Sequence, residues 1–165
     1  MSEKKKRTYA KSLAKGLLAG LIGGLVATAA KTFAERMYPP RTHGEPEPPE
    51  VLTEQFARHE LMVTENESTT EAIHWGFGAL AGAAYGALVE YYPAATAKDG
   101  AGFGMALGSL THGAMLPAAG LSAESEAEAE PKEQTTRELN SEMATHVVYG
   151  VVTEMVRRVV RKMLG

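Results

Sequence analysis

The residues with chemical capacity in this chain lie in or beside stretches that carry no charge. They are His74 and Glu90, His112, and His146 and Glu154. Each falls on a step of four with glycine. The chain reads His74-Gly78-Gly82-Gly86-Glu90, then Gly100-Gly104-Gly108-His112, then His146-Gly150-Glu154-Arg158. On a helix a step of four follows one ridge, so the polar groups track the same seam as the glycines. An imidazole titrates near pH 6.5, so His112, in the middle of its block, reads as a proton acceptor or pH sensor. The structural reading of His112 is a neutral ring hydrogen-bonded across a helix contact, with Ser109 or Thr111 close by. His74 and His146 read as interfacial anchors or hydrogen-bond partners. Glu154 has Arg157 and Arg158 within one turn, which reads as an ion pair.

Other chemistry is poorly supported. His74 and Glu90 are sixteen residues apart, about 24 Å at the helical rise, and cannot share one metal ion. No metal site and no cofactor is expected. The chain has no cysteine, which removes disulfides and thiolate ligands. It has no hydrolase elbow, phosphate loop or zinc-protease helix, so no enzymatic activity is expected.

The elements that must carry these residues are marked by charge segregation. The mean hydropathy of −0.18 resembles a soluble protein. Yet residues 16–30, 72–89, 100–123 and 143–153 contain no Asp, Glu, Lys or Arg, and charge crowds between them. A soluble helix would carry charge along its wet face. Charge-free blocks between charged loops predict an all-α integral membrane bundle of four short, Gly/Ala-rich transmembrane helices in a single domain. The expected spans are residues 13–37, 70–91, 100–120 and 140–163. An outer loop at 38–69, an inner turn at 92–99 and an outer loop at 121–139 join them. Pro39-Pro40 and Pro93 stop the first two helices, and residues 55–63 predict a short amphipathic helix in the first loop. The shorter blocks reach membrane length when Lys15, Lys31, Glu154 and Arg157 lie at the interfaces.

The basic start could introduce a signal peptide, but the first block shares a glycine pattern with later blocks, so it is read as retained. Both termini are expected in the cytoplasm. That topology puts eleven Lys/Arg inside and six outside, although the outer segments are longer. The implied location is the cell inner membrane. The expected partners are the bilayer and, at the basic termini, its anionic headgroups rather than nucleic acid.

Three ladders have the form G-x-x-x-G-x-x-x-G: Gly16, Gly20, Gly24; Gly78, Gly82, Gly86; and Gly100, Gly104, Gly108. The fourth block offers Gly150. Lipid supplies no hydrophobic drive between helices, so association depends on close backbone packing, which such rows allow. In water each glycine would cost about 1 kcal/mol relative to alanine. The same rows allow copies of the chain to associate as homo-oligomers. Tyr85-Gly86 followed by Glu90 also matches Tyr149-Gly150 followed by Glu154, which suggests two helical hairpins related by a parallel repeat.

Over residues 16–158 the chain resembles the YagU-like bacterial inner-membrane proteins, a domain family of unknown function. The resemblance rests on the Gly/Ala-rich first span ending in Pro39-Pro40-Arg41, and on Tyr85-Gly86, Glu90 and Pro93. It continues through His112, Met115, Pro117, Gly120 and Leu121 to Ser141-Glu142, His146, Tyr149, Glu154 and Arg157-Arg158. The loop after Pro40 is shorter and less aromatic than in that family, and residues 123–130 are Ala/Glu-rich where the family is more apolar. The resemblance implies a role in survival under acid stress, which His112 and His146 would suit. The expected function is a non-enzymatic membrane protein whose histidines gain charge as the outside acidifies. The alternatives are a small oligomeric proton or ion channel or transporter along His74, His112 and Glu90, and a scaffold that binds a partner through its outer loops.

Overall fold

The computed structural model describes residues 3–40, 50, 53, 67–111 and 136–165. These form four α-helices and one 3₁₀ segment, with no strand among them. Helix α1 is Glu3–Met37, α2 is Glu67–Tyr91, α3 is Ala101–Leu110 and α4 is Thr136–Met163. The 3₁₀ segment Pro93–Gly100 joins α2 to α3. His112, the amphipathic stretch at 55–63 and the second half of the expected span at 100–120 lie outside the described residues.

Helix ends and apolar ends do not coincide. α1 starts at Glu3 rather than near residue 13, because Lys, Arg, Ala and Leu are all good helix formers. α4 likewise starts at Thr136, ahead of its apolar block. Two helical stretches are long and apolar enough to cross a membrane, Ser12–Met37 and Glu67–Tyr91.

α1 packs along both α2 and α4, and α4 packs in turn on α3. The pairings fix the directions. Gly16 lies against Gly86 and Gly24 against Gly78, so α1 and α2 are antiparallel. Gly100 meets Gly150 while Gly108 meets the His146 ring, so α3 and α4 are antiparallel too. α2 and α4 therefore run the same way: Tyr149 reaches Gly78, Tyr85 reaches Glu154, and Glu90 reaches Arg161.

The reversal between α2 and α3 is made by three successive residues with positive φ: Lys98 and Asp99 at 54° and Gly100 at 89°. Only Gly100 takes this conformation without a side-chain penalty.

The distribution of side chains is inverted relative to a water-soluble bundle. The buried apolar residues are few and mostly small or aromatic: Ala19, Ala27, Ala83, Tyr85, Val89 and Tyr149. Beside them Thr28, Glu142, Thr145, His146, Thr153, Glu154 and Arg157 are also buried. The large aliphatic and aromatic side chains face outward, among them Leu18, Val26, Phe33, Leu80, Leu88, Leu110, Met155 and Val159.

Candidate functional site

The helix contacts are built on backbone approach. A methyl group placed on Gly20 would lie 2.8 Å from the Gly86 Cα, and one on Gly82 would lie 2.6 Å from the Gly24 Cα. Both distances are far inside van der Waals contact, so the α1–α2 seam accepts only hydrogen at these positions. The α3–α4 seam follows the same order. A methyl on Gly150 would lie 2.6 Å from the Gly104 nitrogen, and one on Gly100 would lie 2.7 Å from the Glu154 Cβ. Tyr85-Gly86 and Tyr149-Gly150 thus hold matching places, each glycine facing a glycine of the preceding antiparallel helix.

One glycine contact has no counterpart in the four-step ladders. A methyl on Gly23 would lie 2.7 Å from the Thr153 carbonyl oxygen, so Gly23 brings α1 onto α4. Ala19 and Ala27, one step of four to either side, are fully buried. The readable signal was a row of small residues, alanine mixed with glycine, next to the glycine row.

At one end of the bundle, here termed the basic end, α4 gathers the carboxylates. Glu154 is fully buried. Arg157 donates to it twice, from Nε at 2.7 Å and Nη2 at 2.9 Å, and Arg158 Nε donates at 2.6 Å. The fourth donor crosses the bundle: Tyr85 Oη of α2 at 2.9 Å. A carboxylate holding four donors, two of them from one guanidinium fork, meets the condition for burying a charge. Arg158 also reaches Asp99 in the turn at 2.8 Å. Glu90, the matching residue of α2, is held from α1 by Ser12 and from α4 by Arg161, whose Nε donates at 2.6 Å. α2 thus relies on α4 for the guanidinium that its carboxylate needs. Lys15 of α1 bonds the Gly165 carbonyl at the same end.

Above this centre the aromatic rings close the space between the helices. Phe103 of α3 stacks on Tyr85 with ring centroids 4.3 Å apart and lies 6.1 Å from Tyr149. Tyr149 Oη donates to the Gly78 carbonyl at 2.6 Å. Thr28, Thr145 and Thr153 are buried but donate to carbonyls of their own helices, so their hydroxyls are satisfied.

The histidines stand toward the other end. His146 is buried, and its Nδ1 donates to the Glu142 carbonyl at 2.9 Å, which assigns the proton to Nδ1. Its ring covers Gly108, where a methyl would come within 3.0 Å of Cγ. His74 Nε2 pairs with Thr32 Oγ1 of α1 at 3.3 Å. The structure therefore places His74 and Glu90 at opposite ends of α2, and His146 and Glu154 two turns apart on α4. No group of three His, Cys, Asp or Glu side chains among the described residues is arranged to hold a metal ion.

Sequence reasoning reached Arg157 and Arg158 as partners of Glu154. It missed the inter-helix donors: Tyr85 to Glu154, and Ser12 and Arg161 to Glu90. The Tyr-Gly-x-x-x-Glu pattern shared by α2 and α4 flagged these residues but not their pairing.

No curated protein and no solved structure matches the chain. A family described as "Protein of unknown function (DUF1440)" matches residues 25–155. That range begins within α1 and takes in both tyrosine-glycine pairs, Glu90 and Glu154, and it covers most of the chain. The chain belongs to this family of unknown function.

Proposed function

We propose that this is a non-enzymatic, YagU-like inner-membrane protein whose four helices all cross the bilayer with both termini in the cytoplasm. In this reading it supports tolerance of acid through the histidines at its helix contacts. The observation that carries the membrane part is the inverted distribution of side chains. Leu18, Leu80, Leu88, Met155 and Val159 face outward, while Glu154 and Arg157 are buried. Water would drive that arrangement apart. Hydrocarbon favours it, because polar groups within a membrane pair with one another inside the bundle. α4 is 28 residues long, about 42 Å, close to a full bilayer with its headgroup layers. It can cross because Glu154, Arg157, Arg158 and Arg161 pair at the basic end, Glu138 and Glu142 are buried, and the exposed Arg137 and Lys162 lie in its first and last turns. The glycine rows act as zippers that replace the absent hydrophobic drive. The partner is the bilayer itself, with anionic headgroups at the basic termini.

The acid reading rests on His146 and His74, one at each antiparallel seam, at the end that this topology turns outward. His146 already donates from Nδ1, so an added proton must sit on Nε2. It would place a cation in a seam closed by the approach of Gly108, where taking a charge out of water is costly. Acid is expected to loosen α3 from α4. Hydrogen exchange of the full chain in nanodiscs tests this. Protection of the α3 amides, with the intrinsic exchange rate at each pH divided out, should fall between pH 7 and pH 5, and His146→Gln should suppress the fall. Equal protection at both pH values in the unmodified protein would remove the acid reading. Proton flux in reconstituted vesicles would favour a channel instead.

A further inference from the structure

The ion pairs at the basic end consume its arginines and leave lysines over. Glu154 takes Arg157 and Arg158, Asp99 takes Arg158, and Glu90 takes Arg161. All three arginines are thereby held by carboxylates of the bundle. Lys98 and Lys162 are exposed and form no ion pair among the described residues. They flank the Arg158–Asp99 pair: Lys98 adjoins Asp99 in the turn, and Lys162 is one helical turn beyond Arg158 on α4. Beside them three large side chains are turned outward, Tyr91 and Tyr92 at the head of the same turn and Met163 next to Lys162.

We propose that this strip docks an anionic phospholipid. Lys98 and Lys162 take the headgroup phosphate, and Tyr91, Tyr92 and Met163 lie against the glycerol and upper acyl chain. The proposal rests on the membrane reading and deepens it by naming which basic side chains meet lipid and which do not. Lysine suits the role, since a point charge on a long stem can rise to the headgroup plane while its methylenes stay against apolar surface. Tyrosine at the boundary between oil and water suits it too. A single-stranded nucleic acid would use the two lysines and stack bases on the rings, but would leave the Met163 thioether and the outward aliphatic side chains of the adjoining helices uncovered. Arg157 and Arg161 are excluded as primary ligands, because releasing either would leave Glu154 or Glu90 short of its guanidinium, and Arg158 is already shared between Glu154 and Asp99.

Native mass spectrometry of the full chain, released from micelles supplied with equal phosphatidylglycerol and phosphatidylcholine, tests the proposal. Phosphatidylglycerol should be retained preferentially. Each lysine near a charged surface contributes about a fivefold preference, so Lys98→Gln and Lys162→Gln should each reduce it by about that factor. Lys98→Arg with Lys162→Arg should keep it, which separates loss of charge from misfolding. Lys31→Gln, whose partner is Glu35 at the other end, should leave it unchanged. Equal retention of the two lipids, or undiminished preference in the glutamine variants, would overturn the proposal. So would a single-stranded oligonucleotide that displaces phosphatidylglycerol at equal concentration. A chain that alkaline carbonate strips from membranes would fail the membrane reading first and take this proposal with it. A chain that stays embedded yet ignores lipid charge would sink the proposal alone.

Discussion

Replacing Gly20 by alanine adds one methyl group at the tightest kind of contact in the bundle. That methyl would stand 2.8 Å from the Gly86 Cα and 2.9 Å from the Gly86 nitrogen. Carbon atoms rest about 3.5–4.0 Å apart, so α1 and α2 must part locally by about 1 Å. The obstacle is backbone, which cannot turn aside as a side chain would. Overpacking of this kind costs about 1–3 kcal/mol. Alanine returns about 1 kcal/mol of helix propensity, which leaves a net loss of up to about 2 kcal/mol. For a chain of this length that is a fall of up to roughly 8 °C in melting temperature, and the full cost of about 1–3 kcal/mol shows against an alanine that meets no obstacle. Gly76→Ala supplies the matched control, because a methyl there meets nothing within 4 Å. It gains propensity without a clash and should melt at or slightly above the unmodified protein. Circular dichroism melts of both variants in one detergent decide the matter. A Gly20→Ala protein as stable as Gly76→Ala would refute backbone contact as the basis of the seam.

Three further experiments probe the polar interior. Glu154→Gln leaves Arg157 buried without its counter-charge and should cost about 3–5 kcal/mol in denaturant unfolding; a cost below 1 kcal/mol would contradict the pairing. For Glu90 and Arg161, a double-mutant cycle with glutamine at each should return a coupling of about 0.5–1 kcal/mol, held to that size by partial solvent screening. Additive losses would show that α4 does not anchor α2 there. Tyr149→Phe removes the bond to the Gly78 carbonyl and should cost about 1 kcal/mol, whereas Tyr85→Phe, which leaves a carboxylate short of a donor, should cost about 1.5–3 kcal/mol. Equal losses in the two, measured by the same melts, would mean that the Glu154 carboxylate is satisfied without Tyr85.

What could be read from the sequence was whatever repeats along one helix. Gly16, Gly20 and Gly24 lie on one ridge, and Gly78, Gly82 and Gly86 on another. Their common step of four is visible without knowing that the two ridges face each other. The Glu154–Arg157–Arg158 cluster was legible for the same reason, since its members are one turn apart. Contacts between helices were not legible. Arg161 meets Glu90 only because α4 and α2 run parallel beside α1, and no local spacing encodes that. The Ala19-Gly23-Ala27 row escaped because alanine is common enough in helices to hide a pattern. Helix ends escaped because apolarity and helicity are separate properties. Glu3 to Ala14 is a good helix former that is not apolar, so α1 outruns its apolar block.

Burial of Glu154 and Arg157 beneath outward-facing Leu80, Leu88 and Val159 requires a bilayer around the helices. Alkaline carbonate extraction of membranes from cells making the full-length protein, followed by flotation of the pellet, tests that most directly. The protein should remain in the pellet and float with the lipid. Recovery in the supernatant, folded without detergent, would contradict it.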